Sequence, residues 1–177
     1  MSSLGTLVRI IVAGSEGKTS SAAWVAMDEI GGGGDGLSRQ QRFELDCDYR
    51  RLLHATLAPR YWNALVAFYG IDNVERGACI KGLNRAVASH AHQHFKSYAI
   101  ITWAEPKRAG AEGRRSTAIL GADMYDMNIW DDNQGTPEST RRRWRAGIRK
   151  TLSEMLIEAE RAALEILAEE ELIERAA

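Results

Sequence analysis

The amino-acid sequence predicts a mainly α-helical fold, in which a compact helical domain with helix-turn-helix-like units is followed by a long C-terminal helix. Apolar residues recur at helical spacing between 38 and 104, short turns separate these stretches, and no proline follows Pro137. The chain has 177 residues, of which 45% are hydrophobic and 27% are charged. This composition excludes a disordered chain, and the length suits one domain or two small lobes that share a core.

The N-terminal segment combines short apolar stretches with a glycine-rich break. Residues 4–13 are compatible with a short helix or with a buried strand, because periodicity does not separate the two at this length. Residues 20–30 predict a short helix. The glycine run at 31–34 has no helical preference, so it predicts a hinge.

Four short helices are predicted after this hinge. Ser38 is the expected N-cap of the first, which ends before Pro59, and Gly70 is the expected C′ residue of the second. The third, residues 73–87, is weakened by two glycines, and Ser89 is expected to cap the fourth. Short helices joined by brief turns are typical of a helix-turn-helix-like unit or of a small bundle.

The last helix has the clearest start in the sequence. Thr136 is the expected N-cap, Pro137 suits the first helical position, and Glu138 stands in the first turn. An unbroken helix from here to the chain end would be about 60 Å long. Its apolar stripe comprises Trp144, Ile148, Leu152, Met155, Leu156, Ala159, Ala162, Ala163, Ile166, Leu167 and Ile173.

These elements divide the chain into four parts. They are an N-terminal segment with the glycine-rich hinge (1–36), a helical core (37–104), a basic linker or loop (105–120), and a C-terminal region (121–177). The C-terminal region opens with a short helix or irregular segment and a turn. One core is expected, built from the 38–104 helices against the last helix.

Charge is distributed unevenly along the last helix, although the net charge of the chain is only −1. Arginines crowd its first half and glutamates its second, which opposes the helix dipole beyond the first turn. Several arginines at a helix start suit a phosphate backbone. The nucleic-acid-binding residues predicted here are Ser139, Arg141, Arg142, Arg143, Arg145, Arg149 and Lys150, with Lys107, Arg108, Arg114 and Arg115 on the preceding loop.

Two other interpretations of the basic cluster stay open. The arginines could face a protein partner, or they could form a solvated face paired with aspartates. The aspartates within reach along the sequence are Asp123, Asp126, Asp131 and Asp132.

No motif in the sequence predicts an enzyme, a cofactor or a metal. The GSEGKT stretch lacks the first glycine of a P-loop, and Asp131 and Asp132 predict a turn rather than a catalytic pair. His90 and His94 would share a helical face, a spacing that can hold zinc, but no third ligand is near in sequence. Two distant cysteines and no apolar run of membrane-spanning length favour a cytoplasmic protein.

Three stretches, YWNALVAFYG, SHAHQHFKSYAIITWAEP and TPESTRRRWRAGIRKTL, resemble Q-like phage and prophage late-gene transcription antiterminators of the AlpA type. The resemblance covers about residues 45–160. It implies a protein that binds double-stranded DNA near a promoter, engages a paused RNA polymerase carrying a sigma factor, and lets it read through terminators. Nascent RNA is a further candidate partner. Residues 141–150 would supply the DNA-reading helix, and residues 154–174 would supply surfaces for polymerase and sigma.

Three alternative functions share some of these features. A phage DNA-binding regulator without polymerase contact and a small packaging subunit would both use the basic helix. A protein–protein interaction module would instead use the last helix to bind a host factor.

Overall fold

Seven α-helices and no strand make up the regular structure of the described residues, which are 3–14, 38–106 and 120–170. This computed structural model confirms the mainly helical prediction. The helices are α1 (Ser3–Val12), α2 (Arg39–Thr56), α3 (Pro59–Tyr69), α4 (Asn73–Ala86), α5 (Gln93–Ala104), α6 (Met127–Trp130) and α7 (Glu138–Glu169), with a 3-10 helix at Ala122–Tyr125.

Several sequence predictions lie outside the described residues. They are the 20–30 helix, the glycine hinge, most of the GSEGKT stretch, the loop cluster of Lys107, Arg108, Arg114 and Arg115, and the chain end with Ile173.

The stretch at 4–13 is a helix, so the strand alternative is wrong. Leu7, Ile10 and Ile11 follow helical spacing and are fully buried. Helix α1 packs against α2, α3 and α7. Its apolar residues therefore belong to the same core as the longer helices.

Ser38 caps α2 as predicted, in a reciprocal capping box. Its Oγ accepts a hydrogen bond from the Gln41 backbone N–H (3.2 Å), and its own N–H donates to Gln41 Oε1 (2.9 Å). Helix α2 then ends at Thr56, ahead of Pro59. Gly70 directly follows the last residue of α3 and is its C-cap, with φ of −61°, so it is not the predicted C′ residue. A Cβ there would lie 2.5 Å from the Val66 carbonyl oxygen, and this close approach favours glycine.

The predicted N-cap of α5 is wrong by three residues and that of α7 by one. Helix α5 begins at Gln93, and His92 is its N-cap through a hydrogen bond from the Phe95 N–H to His92 Nδ1. Ser89 Oγ instead accepts a bond from the Ala91 N–H, so His90 lies in a turn and shares no helical face with His94. The N-cap position of α7 is Pro137, without a side-chain cap.

The long helix α7 is continuous through Gly147, and its 32 residues correspond to about 48 Å. It packs against α3 and α5 and also contacts α1 and α2. The predicted apolar stripe is confirmed within the described residues, where Ile148, Leu152, Met155, Leu156, Ala159, Ala163 and Leu167 are buried. None of the described helices has the length and apolar composition to cross a bilayer.

Arg76 of α4 is a charged residue inside this helical core. Its guanidinium donates to the carbonyl oxygens of Ala67 (3.0 and 3.2 Å) and Ala104 (3.2 Å) and forms an ion pair with Glu105. These carbonyls lie at the C-terminal ends of α3 and α5, where a helix lacks internal donors. Arg76 thus satisfies and joins two helix ends.

Candidate nucleic-acid interface

An aromatic cluster holds the first half of α7 against α5 and α6. The ring centroid of Phe95 lies 5.5 Å from that of Trp144 and 5.3 Å from that of Trp130, both in edge-to-face geometry. Trp130 is fully buried, and its indole N–H donates to the Met124 carbonyl. Trp144 therefore anchors α7, as its place on the apolar stripe predicts.

The turn before α7 is tied to this cluster by Asp131. One carboxylate oxygen of this buried side chain accepts a hydrogen bond from the Thr136 N–H (2.9 Å), and the other lies 3.7 Å from His92 Nε2. Hydrogen bonding from the Thr136 side chain is the main cause that lowers the pKa of Asp131. Asp132, in contrast, is exposed with φ of 48°, so the predicted turn is confirmed.

Arg141 forms hydrogen bonds within the protein, to one side-chain oxygen and one backbone oxygen. Its Nη1 donates to Asn128 Oδ1 (2.9 Å) and to the Met127 carbonyl oxygen (3.3 Å). Both acceptors belong to α6. The predicted phosphate ligand at this position therefore has an intramolecular partner, which connects α6 to the first turn of α7.

Arg145 is oriented by an indole ring. Its guanidinium carbon lies 5.4 Å from the ring centroid of Trp130, a cation–π geometry. Burial is the main cause that lowers the pKa of Arg145, and the nearby charge of Arg149 lowers it further. Like charges on Arg145 and Arg149, four residues apart on one helix, therefore repel each other.

Arg142, Arg145 and Arg149 line one open groove together with Met127 and Ala146. The groove has a volume of about 310 Å³. Residues three, four and seven apart lie on one side of a helix, so the residues from α7 share a face. We call these five residues the arginine groove.

Arg143 and Lys150 lie on the outer surface of α7 and are exposed. They are seven residues apart, which places them on the same face with an axial separation of about 10.5 Å. Lys150 is 3.8 Å from Glu154, and Arg142 is 2.6 Å from Glu138, both as exposed pairs one helical turn apart. Such pairs are weak.

Aspartate pairing does not account for the basic cluster. Among the described residues, no carboxylate forms an ion pair with Arg143, Arg145 or Arg149. In the described part of the chain, Asp123, Asp126, Asp131 and Asp132 form no salt bridge with an arginine of α7. The charge of Arg141 nevertheless contributes to lowering the pKa of Asp131. The first half of α7, 138–150, contains six basic residues and one acidic residue, and most of this charge is not neutralised within the described chain.

The acidic second half of α7 is partly used inside the fold. Tyr61 donates a hydrogen bond to Glu158 (2.9 Å), and Tyr69 donates to Glu160 (2.5 Å). Burial, followed by the interaction with Glu160, raises the pKa of Tyr69. These contacts fasten α3 to α7, so two of the glutamates have a structural role.

The cysteines and histidines lie away from the arginine groove's lining. Burial raises the pKa of the Cys79 thiol to about 11, so this thiol is protonated at neutral pH. No group of three or more His, Cys, Asp or Glu side chains within the described ranges is arranged to hold a metal ion.

The structure thus places the predicted basic residues of α7 in three groups and Ser139 apart from them. Arg141 faces α6, three arginines line the groove, and Arg143 and Lys150 face outward, while Ser139 is exposed in the first turn. Met127 was missed by the sequence reasoning. It precedes the helix on a different element, and no periodicity in α7 could have indicated it.

Comparison of the chain with protein-family models, with curated proteins and with solved structures finds no match.

Proposed function

We propose that this protein binds the sugar-phosphate backbone of double-stranded DNA through a basic face formed by Arg142, Arg143, Arg145, Arg149 and Lys150. The proposal rests on one observation. Arg143, Arg145 and Arg149 project from the same half of one helix, and no described carboxylate pairs with them. Unneutralised guanidinium groups along one helix repel one another, and a polyanion relieves that repulsion while its counterions are released.

The contacts that hold α7 in place also favour the proposal that its basic face binds DNA. The first half of α7 is held on the folded domain by three sets of contacts. They are the aromatic packing around Trp144, the hydrogen bonds from Arg141 to α6, and the hydrogen bond from the Thr136 N–H to Asp131 in the preceding turn. A charged face on a rigid element loses little conformational entropy on binding. Since Ile148 is buried and Trp144 packs on Phe95, only the outer side of α7 is available, which suits contact with a backbone rather than insertion into a groove.

The cellular role that we propose follows from the sequence resemblance. DNA binding would position the protein near a promoter in the bacterial cytoplasm, where it joins a paused RNA polymerase carrying a sigma factor and allows terminator readthrough. DNA binding comes first in this scheme, so it is the step to test first.

The experiment measures affinity for a fluorescently labelled duplex by anisotropy across a salt series. We expect a steep salt dependence for the wild type. The variant Arg142→Gln/Arg143→Gln/Arg149→Gln is expected to lower the slope of log K against log salt by about 2.7, which is about 0.9 for each lost phosphate contact. The control, Arg51→Gln/Lys81→Gln/Arg85→Gln, removes the same charge from exposed positions on α2 and α4 and is expected to keep the slope.

Two results would refute this proposal. One is the absence of duplex binding by the wild type at any salt concentration. The other is an equal loss in both triple variants, which would mean that overall charge and not this face determines binding. If the duplex is bound as expected, adding RNA polymerase and measuring terminator readthrough tests the antitermination role.

A further inference from the structure

We infer that the arginine groove is a discrete site for one nucleotide unit of the bound nucleic acid, with the phosphate on the guanidinium groups and the sugar against Met127 and Ala146. The inference rests on the proposed function and deepens it, because it separates one shaped site from the wider basic face. It predicts that shape as well as charge determines affinity.

Three arginines contribute side chains to the lining of this groove. Among the described residues, the charged ones in its lining are Arg142, Arg145 and Arg149, which are three and four residues apart on α7. Guanidinium groups bind phosphate oxygens in a forked, two-bond geometry. Within the described ranges, these three arginines form one ion pair, between Arg142 and Glu138. Both of those side chains are largely exposed, so a phosphate can displace the pair.

Arg145 is the most preorganised of the three. Its guanidinium lies over Trp130, and its buried Nε has no hydrogen-bond partner. The stacking restricts the side chain before any ligand arrives, which lowers the entropy lost on binding. An anion between Arg145 and Arg149 also removes the repulsion between their charges.

The volume and lining of the groove limit what it can hold. At about 310 Å³ it is near the lower end of small-molecule sites and too small for a duplex or a helix to enter. Met127 and Ala146 add apolar side chains to the lining. A phosphate with its attached sugar has the matching combination of one anionic and one less polar part.

The decisive variant is Ala146→Leu, which fills the groove without changing any charge. Alanine and leucine have similar helix propensities, and Ala146 is exposed, so the fold is expected to persist. Ala168→Leu is the matched control, since Ala168 is an exposed alanine near the other end of α7. Equal melting temperatures would confirm that both variants are folded.

We expect Ala146→Leu to weaken duplex binding about tenfold, which corresponds to the loss of one charge-assisted contact. The salt slope should fall by about 0.9, for one phosphate. Ala168→Leu should bind like the wild type. Duplex binding by Ala146→Leu that equals that of the wild type would overturn the inference.

A second measurement uses ribose 5-phosphate as the probe, with tryptophan fluorescence as the readout because Trp130 lies beneath Arg145. Ribose 5-phosphate should change the fluorescence of the wild type but not of Ala146→Leu, and ribose alone should have no effect. If polyglutamate competes and ribose 5-phosphate does not, the groove takes acidic polypeptide and the inference is wrong. A wild type that binds ribose 5-phosphate but no duplex would support the groove and refute the DNA proposal.

Discussion

Replacing Arg76 with alanine should destabilise the whole helical domain. Arg76 is 8% exposed, and the Glu105 side chain with which it pairs is 15% exposed. The substitution leaves that carboxylate without its counter-charge and leaves the carbonyls of Ala67 and Ala104 without the donor at the ends of α3 and α5. Breaking a buried ion pair from one side typically destabilises a protein by about 3–5 kcal/mol. We expect a loss in that range.

Urea unfolding followed by far-ultraviolet circular dichroism measures this loss as a shift in midpoint at constant slope. For a chain of this size, the expected decrease in Tm is about 2–4 °C for each kcal/mol. Arg85→Ala is the control, because Arg85 is exposed on the same helix and should change stability by less than about 0.5 kcal/mol. A loss below about 1 kcal/mol for Arg76→Ala would refute the assignment of Arg76 as the joint between two helix ends.

Two further perturbations test the helix packing and the turn before α7. Gly77→Ala should stabilise the protein by about 0.5–1 kcal/mol, since nothing lies within 4 Å of the added Cβ. Gly82→Ala should stabilise it less, because the added Cβ would lie 2.2 Å from Asn63 Nδ2. A higher melting temperature for Gly82→Ala than for Gly77→Ala would contradict this prediction. Asp131→Asn should reduce the free energy of unfolding at neutral pH. The difference from the wild type should shrink as the pH falls below about 4, because a carboxylate with a lowered folded-state pKa stabilises the fold only while it is ionised. A pH-independent difference in urea midpoint would exclude the ionised carboxylate as the cause.

Local rules predicted those parts of the fold that depend on neighbours in sequence. The Ser38 capping box and the apolar stripe of α7 follow from residues within a turn or two of each other, and both are present. The start of α5 was misplaced because Ser89 and His92 are both able to cap, and the distant Asp131 and Trp144 contacts favour His92. Tertiary packing therefore determines which of these two residues is the N-cap of α5.

The candidate site was predictable as a charge pattern but not as a shape. The sequence indicated the cluster of arginines on α7. It could not indicate that Arg141 bonds to α6, or that Arg145 stacks on Trp130, because these partners come from an element whose position depends on the whole fold. The arginine groove exists only where α6 meets α7.

The two halves of α7 differ in how the fold uses their charges, and this difference is the strongest reason to look for an anionic ligand at the basic half. In the acidic half, tyrosines of α3 bond to Glu158 and Glu160, so part of the charge stabilises helix packing. In the basic half, exposed carboxylates pair only with Arg142 and Lys150 among the described residues, and Arg145 rests on an aromatic ring instead of a carboxylate. A cluster selected for stability alone would place acidic side chains beside these guanidinium groups, because opposite charges one helical turn apart are favourable and like charges are not. The arrangement is explained if the missing negative charge comes from a bound phosphate.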